Sequence, residues 1–367
     1  MTSQEHKKHA DVNKPLGGKI HRNEIAILGA PCGIIQSLCK EIAHKLPNLR
    51  VGYLDAAHNN DEPVGVYHVG YTDKIDFHQL KFSSENTEYE FRSIFNSCDL
   101  VLVNGNHFKA EKQIPIINQK KKESLERKID RLTNVLGFIL DEGEEDIHDY
   151  LKASHNRVPT TSIDNLNGIV SLVEQEISTP PIKGLVLAGG KSLRMGEDKG
   201  AISYHGLPQR EHTAHLLSSF CQEVFLSAPH KIEGQFQTIT DSFSDLGPYG
   251  GILSAFRQDP NAAWLVVATD IPLLDEATLQ QLIDERNPSK VATCFHNPET
   301  KFPEPLITLW EPRAYPRLLN FLTLGYSCPR KALINSEIEE IEMENLNAMK
   351  NANTPEEKDE IMAQING

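Results

Sequence analysis

The chain has 367 residues, 39% of them hydrophobic, and a formal net charge of −14 at pH 7, so its length allows two domains with ordinary cores. That acidic balance argues against general nucleic-acid affinity, which depends on clustered cations, and no apolar run approaches the roughly 18 residues of a membrane span. Its six cysteines form no CxxC pair, which excludes a zinc ribbon or disulfide framework and points to a reducing, cytoplasmic setting.

Residues 1–21 are polar and lack an apolar core segment, which predicts a flexible lead and no signal peptide. A strand is predicted over residues 24–30, then a turn at Pro31, Cys32 and Gly33 and a helix over 34–46. Strand, glycine turn and helix is the layout of a P-loop, but its working residues are missing. Counted from Gly29, the positions for Gly, Lys and Ser/Thr hold Ile34, Ile35 and Gln36, so no lysine follows the turn to reach a nucleotide's phosphates. A second strand over 49–56 leads to Asp55 and His58. A third, across 98–108, has a Walker-B-like shape with Asn104 where an acid is expected. Lys120, Lys121 and Lys122, beside Glu123 and Glu126, read as a solvated helix start. The adjacent Pro180 and Pro181 end this region and predict a boundary between domains 22–178 and 182–367.

The second region opens with an apolar run over 182–188, suited to a central parallel strand. It passes directly into LAGGKSLRMGEDKG, residues 187–200. Gly189 and Gly190 permit positive φ and close backbone approach, so that N–H groups of this turn can point at phosphate oxygens. Arg194 and Lys199 add two cations that can neutralise a triphosphate as its bonds rearrange. The loop is neither GxxxxGK[ST] nor GxGxxG; Leu193 stands where the latter needs its third glycine.

Further along, His212 and His215 lie three apart on a predicted helix, too few ligands for a metal site. Ser227 sits in an apolar strand, Asp241 ends another, and LGPYGG (246–251) is a tight turn opening a helix. In WLVVATDIP (264–272) a buried strand ends in Asp270 just before proline, which puts the carboxylate at the carboxyl edge of the sheet, where open α/β folds bind ligands. A helix cap there is the alternative role for Asp270, but Asp275 is better placed for it. Mg²⁺ takes one or two carboxylates along with waters and substrate phosphates, so Asp270 suits it. Arg330 and Lys331 fit either a phosphate clamp or ordinary helix-terminus cations. Residues 337–344 predict an edge strand or a short helix. In NANTPEE (351–357) Thr354, Pro355 and Glu357 form a capping-box pattern.

Taken together, the LAGGxSxRMGxDK string, the Asp241 and 246–251 segments, the strand ending in Asp270 and NANTPEE resemble the molybdenum cofactor guanylyltransferase family. The resemblance implies two three-layer α/β domains, the second GT-A-like and Rossmann-related with a mostly parallel sheet. It implies Mg²⁺-dependent transfer of GMP from GTP to the phosphate of molybdopterin or Mo-molybdopterin, with release of pyrophosphate and molybdoenzyme apoproteins as partners. On that reading Arg194 and Lys199 serve the phosphates, Leu187, Ala188, Gly189, Gly190, Ser227 and Asp241 the nucleotide, Asp270 the Mg²⁺, and Arg330 and Lys331 the acceptor. No general base is needed, because an acceptor phosphate is already ionised near neutral pH. Three positions depart from the family pattern: Tyr249 for a usual leucine, Thr269 for a usual cysteine, and Ser227 for a frequent asparagine. LAGG leans toward guanylyl over cytidylyl transfer. Cytidylyl transfer, transfer to a sugar phosphate and a non-catalytic nucleotide-binding adaptor remain open.

The first region resembles, through DLVLVNG (99–105), the P-loop partner protein of molybdopterin-guanine dinucleotide synthesis. With its phosphate loop broken, the expectation is lost hydrolysis, leaving either an adaptor or a stabilising domain.

Overall fold

A computed structural model describes residues 20, 22–56, 69–73, 76–82, 93–189 and 198–366. The chain forms two compact units, Arg22–Ser178 and Thr179–Gly367.

In the first unit, strands β1 (Asn23–Leu28), β2 (Val51–Leu54), β5 (Leu100–Asn104), β6 (Lys112–Ile117), β7 (Phe138–Leu140) and β8 (Thr160–Ser162) form a sheet ordered β2-β5-β1-β6-β7-β8. All its pairs are parallel. Strands β3 (Val69–Asp73) and β4 (His78–Phe82) form a separate antiparallel pair. The alternation of β1 decides how its faces are covered: Ile25 and Ile27 pack with Ile35, Leu38 and Ile42 of the helix Cys32–Lys45 and with Ile169 and Val173 of the helix Leu166–Glu174. Ala26 turns to the other face with Val101 and Val103. The first helix begins at Cys32, two residues earlier than the sequence suggests, because Pro31 (φ −53, ψ 142) already serves as its N-cap residue.

The second unit holds β9 (Ile182–Leu187), β10 (Val224–Ala228), β11 (Gln237–Thr240), β12 (Ala263–Ala268), β13 (Ala292–Asn297), β14 (Phe302–Trp310) and β15 (Glu339–Ile341), ordered β11-β10-β9-β12-β14-β13-β15. The first four are mutually parallel, and β14 runs antiparallel to β12 and β13. Residues 339–341 add the edge strand β15, which decides between the two readings of that segment. Buried apolar side chains alternate between the faces, as a sheet covered on both sides requires. Leu185, Trp264 and Val266 pack with Ile252 and Phe256 of the helix Pro248–Gln258 and Leu318 of the helix Ala314–Thr323. Val186, Leu265 and Val267 pack on the opposite face with Leu217 of the helix Gln209–Ser218 and with Leu279 and Leu282 of the helix Glu276–Asp284. This unit is a three-layer α/β fold with a mostly parallel sheet.

From β9 the chain moves outward through β10 to β11 and then crosses back to place β12 on the other side of β9. The strand order reverses between β9 and β12, and a crevice opens at their carboxyl ends, the usual ligand position in such sheets. Leu187 and Ala268 are paired neighbours at that edge.

Candidate functional site

A cavity of about 770 Å³ occupies this switch point, within the range of small-molecule sites. Leu187, Ala188 and Gly189 enter it from the end of β9, Ser227 from β10, Asp241 from the end of β11 and Asp270 from the end of β12, with Lys199 across from them. Ser227 lies within β10; the charged groups come from the loops that leave the carboxyl ends of the strands.

Asp270 is the most constrained. Its main-chain carbonyl accepts a 2.7 Å hydrogen bond from Ala352 N, and its Oδ2 lies 3.8 Å from Lys199 Nζ. Its other oxygen, Oδ1, is buried and has no hydrogen-bond partner among the described residues. Burial pushes the Asp270 carboxyl above the usual carboxylate range, and Lys199 offsets only part of that. A buried carboxylate oxygen without a donor is costly unless something positive meets it, so the residues present fit a divalent cation. The Asp275 side chain caps the next helix instead, accepting from Thr278 N at 2.8 Å.

Asp241 accepts a 3.0 Å hydrogen bond from Ser227 Oγ. Its carboxyl is also raised by burial, with the Ser227 hydroxyl pulling the other way. The helix Pro248–Gln258 comes so close behind this pair that a Cβ on Gly251 would lie 2.4 Å from Ser227 Oγ. Thr269 joins the two central strands, its Oγ1 3.4 Å from the Leu187 carbonyl.

Several expectations are corrected here. Gly189 is not among the glycines with positive φ. It is required by close approach, since a Cβ there would meet Pro229 Cδ at 2.6 Å and Ala228 Cα at 3.0 Å. The N–H of Ala188 continues the sheet by donating to Ser227 O at 2.9 Å, so it is already committed and does not face a phosphate. Tyr249 is fully buried and donates to Leu318 O at 2.7 Å, so the larger side chain fills the core and leaves the cavity's shape alone. Gly190 and Arg194 lie outside the described residues.

Arg330 and Lys331, on the helix Pro329–Ile334, are not among the residues lining the cavity. An Arg330 guanidinium nitrogen lies 3.5 Å from Glu304 Oε2, and Lys331 Nζ sits 5.8 Å from the centre of the Tyr326 ring. No group of three or more potential metal-ligating side chains occurs among the described residues. His212 is stacked on His205 at 3.9 Å between ring centroids; burial, with the neighbouring imidazoles, brings it down to about 4. His215 packs edge-on against Phe236.

Asn353 was not legible as a site residue. Its Oδ1 accepts a 2.6 Å hydrogen bond from Lys199 Nζ. NANTPEE signals a helix cap, and the cap is there: Glu357 N donates to Thr354 Oγ1 at 3.3 Å and Thr354 N to Glu357 Oε2 at 3.1 Å. The same Oε2 takes a 2.6 Å bond from Asn353 N, so the cap orients the residue that meets Lys199. Asp198 stands in the LAGGxSxRMGxDK string, which gives it no role of its own. It accepts from Gly200 N at 3.0 Å and from an Arg210 guanidinium nitrogen at 2.9 Å, fixing the short turn that carries Lys199.

Residues 184–338 match the model of the MobA-like NTP transferase domain. A Synechocystis protein named molybdenum cofactor biosynthesis bifunctional protein is 36% identical over 191 residues, 51% of this chain and 55% of that relative. The chain thus spans about half of that relative's length. The molybdenum cofactor guanylyltransferase of Shewanella sediminis is 30% identical over 199 residues, which cover 50% of this chain and 97% of the relative. The chain belongs to the molybdenum cofactor guanylyltransferase family. Among solved structures, Bacillus subtilis MobB aligns at 16% identity with a TM-score of 0.33, covering 42% of this chain and 98% of the other. Family membership agrees with the motifs at β9, β12 and residues 351–357. Among the described residues no helix is long and apolar enough to cross a membrane.

Proposed function

We propose that this chain is a molybdenum cofactor guanylyltransferase, transferring GMP from GTP to the phosphate of molybdopterin or Mo-molybdopterin and releasing pyrophosphate, in the crevice between β9 and β12. The observation that carries this reading is the pairing of Lys199 with Asp270 at the strand switch point, with one oxygen of Asp270 buried and unpartnered.

The acceptor phosphate attacks the α-phosphorus in line, and negative charge gathers on the transferred group and the departing pyrophosphate. Positioning and electrostatics therefore supply most of the rate. Lys199, held by Asn353 and Asp270, presents a fixed ammonium to the phosphates, and Arg194 is the second cation in this reading. Asp270 would hold Mg²⁺. When bound there, the ion neutralises phosphate oxygens and the leaving group. Ser227 and Asp241 orient the nucleoside, with Asp241 accepting hydrogen bonds from it. Gly189 lets the end of β9 lie close against Ala228 and Pro229. The product's destination is a molybdoenzyme apoprotein, and the compartment is the cytoplasm. Arg330 and Lys331 would serve the acceptor's phosphate in this reading, from beside the residues that line the cavity.

Pyrophosphate release from Mg-GTP, Mg-CTP and Mg-ATP in the presence of molybdopterin tests the reading. Release with GTP well above CTP and ATP is expected. Release with CTP alone moves the chain to cytidylyl transfer, and release with none of them overturns the catalytic assignment.

A further inference from the structure

The unit Arg22–Ser178 gathers a cluster of polar side chains around Cys32, at the carboxyl ends of β1 and β5. Cys32 is the first residue of the 14-residue helix Cys32–Lys45, and Pro31 before it offers no side-chain cap. Its sulfur therefore sits where the helix terminus favours negative charge. His107, three residues beyond β5, brings Nε2 to 3.3 Å from Cys32 Sγ. Asn106 Nδ2 lies 3.9 Å from the same sulfur while donating to Ala30 O at 2.8 Å, and Asn106 Oδ1 accepts from Gly29 N at 3.3 Å, so the two loops are pinned together.

Asn104 lies directly behind this cluster. It is 0% exposed, its side-chain oxygen accepts from Asn106 N at 3.1 Å, and its buried Nδ2 has no conventional hydrogen-bond partner. The group that amide faces is the Cys32 sulfur. Lys128 adds a cation, its Nζ 3.5 Å from Asn106 Oδ1. Burial alone would raise the Cys32 thiol, but the donors His107, Asn104 and Asn106 outweigh it and bring the group below the usual thiol range. Burial does the opposite to Cys39 and Cys221, both pushed up to about 12. Cys32 is also partly exposed, whereas Cys39 is buried. A cysteine kept only for packing needs none of these donors.

We propose that Cys32 and His107 form a nucleophilic thiolate site that exchanges with small disulfides of low-molecular-weight thiols. Cys32 Sγ attacks one sulfur of RSSR, forming a new S–S bond as the old one breaks. The electron pair of the broken bond leaves on RS⁻, which takes the proton that His107 received from the Cys32 thiol. Cys32 is oxidised to the mixed disulfide and one RS group is reduced to RSH. The phosphate-loop position, emptied of its lysine, thereby holds different chemistry.

The test uses the full chain and dithiodipyridine, with release of the chromophoric thione followed over time and the labelled cysteine identified by peptide mass. The titratable groups facing Cys32 are Tyr53 on β2, His107 after β5 and Lys128 after β6, so the rate is measured across a pH series. Cys32 is expected to label about tenfold faster than the exposed Cys328 at mildly acidic pH, with a lower pH midpoint. Cys32→Ser should remove the fast phase, and His107→Gln should slow it and move its midpoint upward. The proposal is overturned if Cys32 reacts no faster than Cys328, if the two share a midpoint, or if the fast phase survives Cys32→Ser. An unchanged fast phase in His107→Gln removes His107 from the site. Should that variant not fold, the midpoint comparison in the unaltered chain decides.

Discussion

Lys199 Nζ lies 2.6 Å from Asn353 Oδ1, across 154 positions of sequence. This contact ties the turn that carries Lys199 to the segment 351–357 and fixes a cation that a long flexible side chain would otherwise leave to sample many rotamers. Asn353→Ala should therefore lower pyrophosphate release by on the order of tenfold to a hundredfold. The melting temperature should hardly move, since Thr354 and Glu357 still cap the helix. Glu357→Ala should lower both, with a stability cost of about 1 kcal/mol from the lost capping bonds. Equal turnover in Asn353→Ala and the parent would show that Lys199 needs no fixing.

Asp270→Asn separates charge from shape. Burial raises the folded carboxyl above its unfolded value, so the folded state holds the proton to higher pH than the unfolded chain does. Its contribution to stability is then lost as pH rises from the usual carboxylate range through the folded value, and it stays lost at neutral pH. Removing the charge relieves that penalty. Metal-free Asp270→Asn should melt no lower than the parent at pH 7 yet lose Mg²⁺-dependent turnover. A clear fall in melting temperature would mean that Lys199 fully compensates the buried charge.

The parts of this fold that were legible in sequence are those governed by local chemistry. β9 and β12 announce themselves as short apolar runs ending in polar loops, and the 351–357 cap follows a fixed four-residue pattern. Relationships set by tertiary packing were not legible. Asn353 reads as a residue before a cap until Ala352 N bonds the Asp270 carbonyl and carries it to Lys199. Ala188 reads as a phosphate-facing amide until the pairing of β9 with β10 claims its N–H. Tyr249 reads as a change at the site until the helix Ala314–Thr323 supplies an acceptor for its hydroxyl. Arg330 and Lys331 are cations in a suggestive place in the sequence, and their contacts with Glu304 and Tyr326 are set by tertiary packing that no local pattern announces.

In the proposed reading Ser227 and Gly251 shape the nucleoside side together. Ser227→Ala removes the 3.0 Å bond to Asp241 and leaves a half-buried carboxylate with one donor fewer, so nucleotide affinity should fall by about 1 kcal/mol, or roughly fivefold. Gly251→Ala should do more, because its Cβ would lie 2.4 Å from Ser227 Oγ and 3.0 Å from Leu187 Cδ2. Calorimetric titration with Mg-GTP and Mg-CTP reads both variants. If Gly251→Ala binds as well as the parent, the helix Pro248–Gln258 shifts more easily than its packing implies.

The bidentate pair of Arg286 with Glu311 bears on stability alone. Arg286 Nε and Nη2 donate to the two carboxylate oxygens at 2.7 and 2.9 Å, and Nη2 also reaches Pro180 O at 3.0 Å. Glu311 is 0% exposed, so the arginine is what makes its burial tolerable. Arg286→Met keeps most of the side chain's length but leaves that carboxylate unpaired, which should cost roughly 3–5 kcal/mol. Replacing Glu311 together with Arg286 by apolar residues of similar volume should restore most of the loss, because a buried pair exchanged for good packing is often close to neutral. Urea unfolding of the single and double variants measures the difference. A single variant no less stable than the parent would mean that the pairing of Glu311 with Arg286 contributes little.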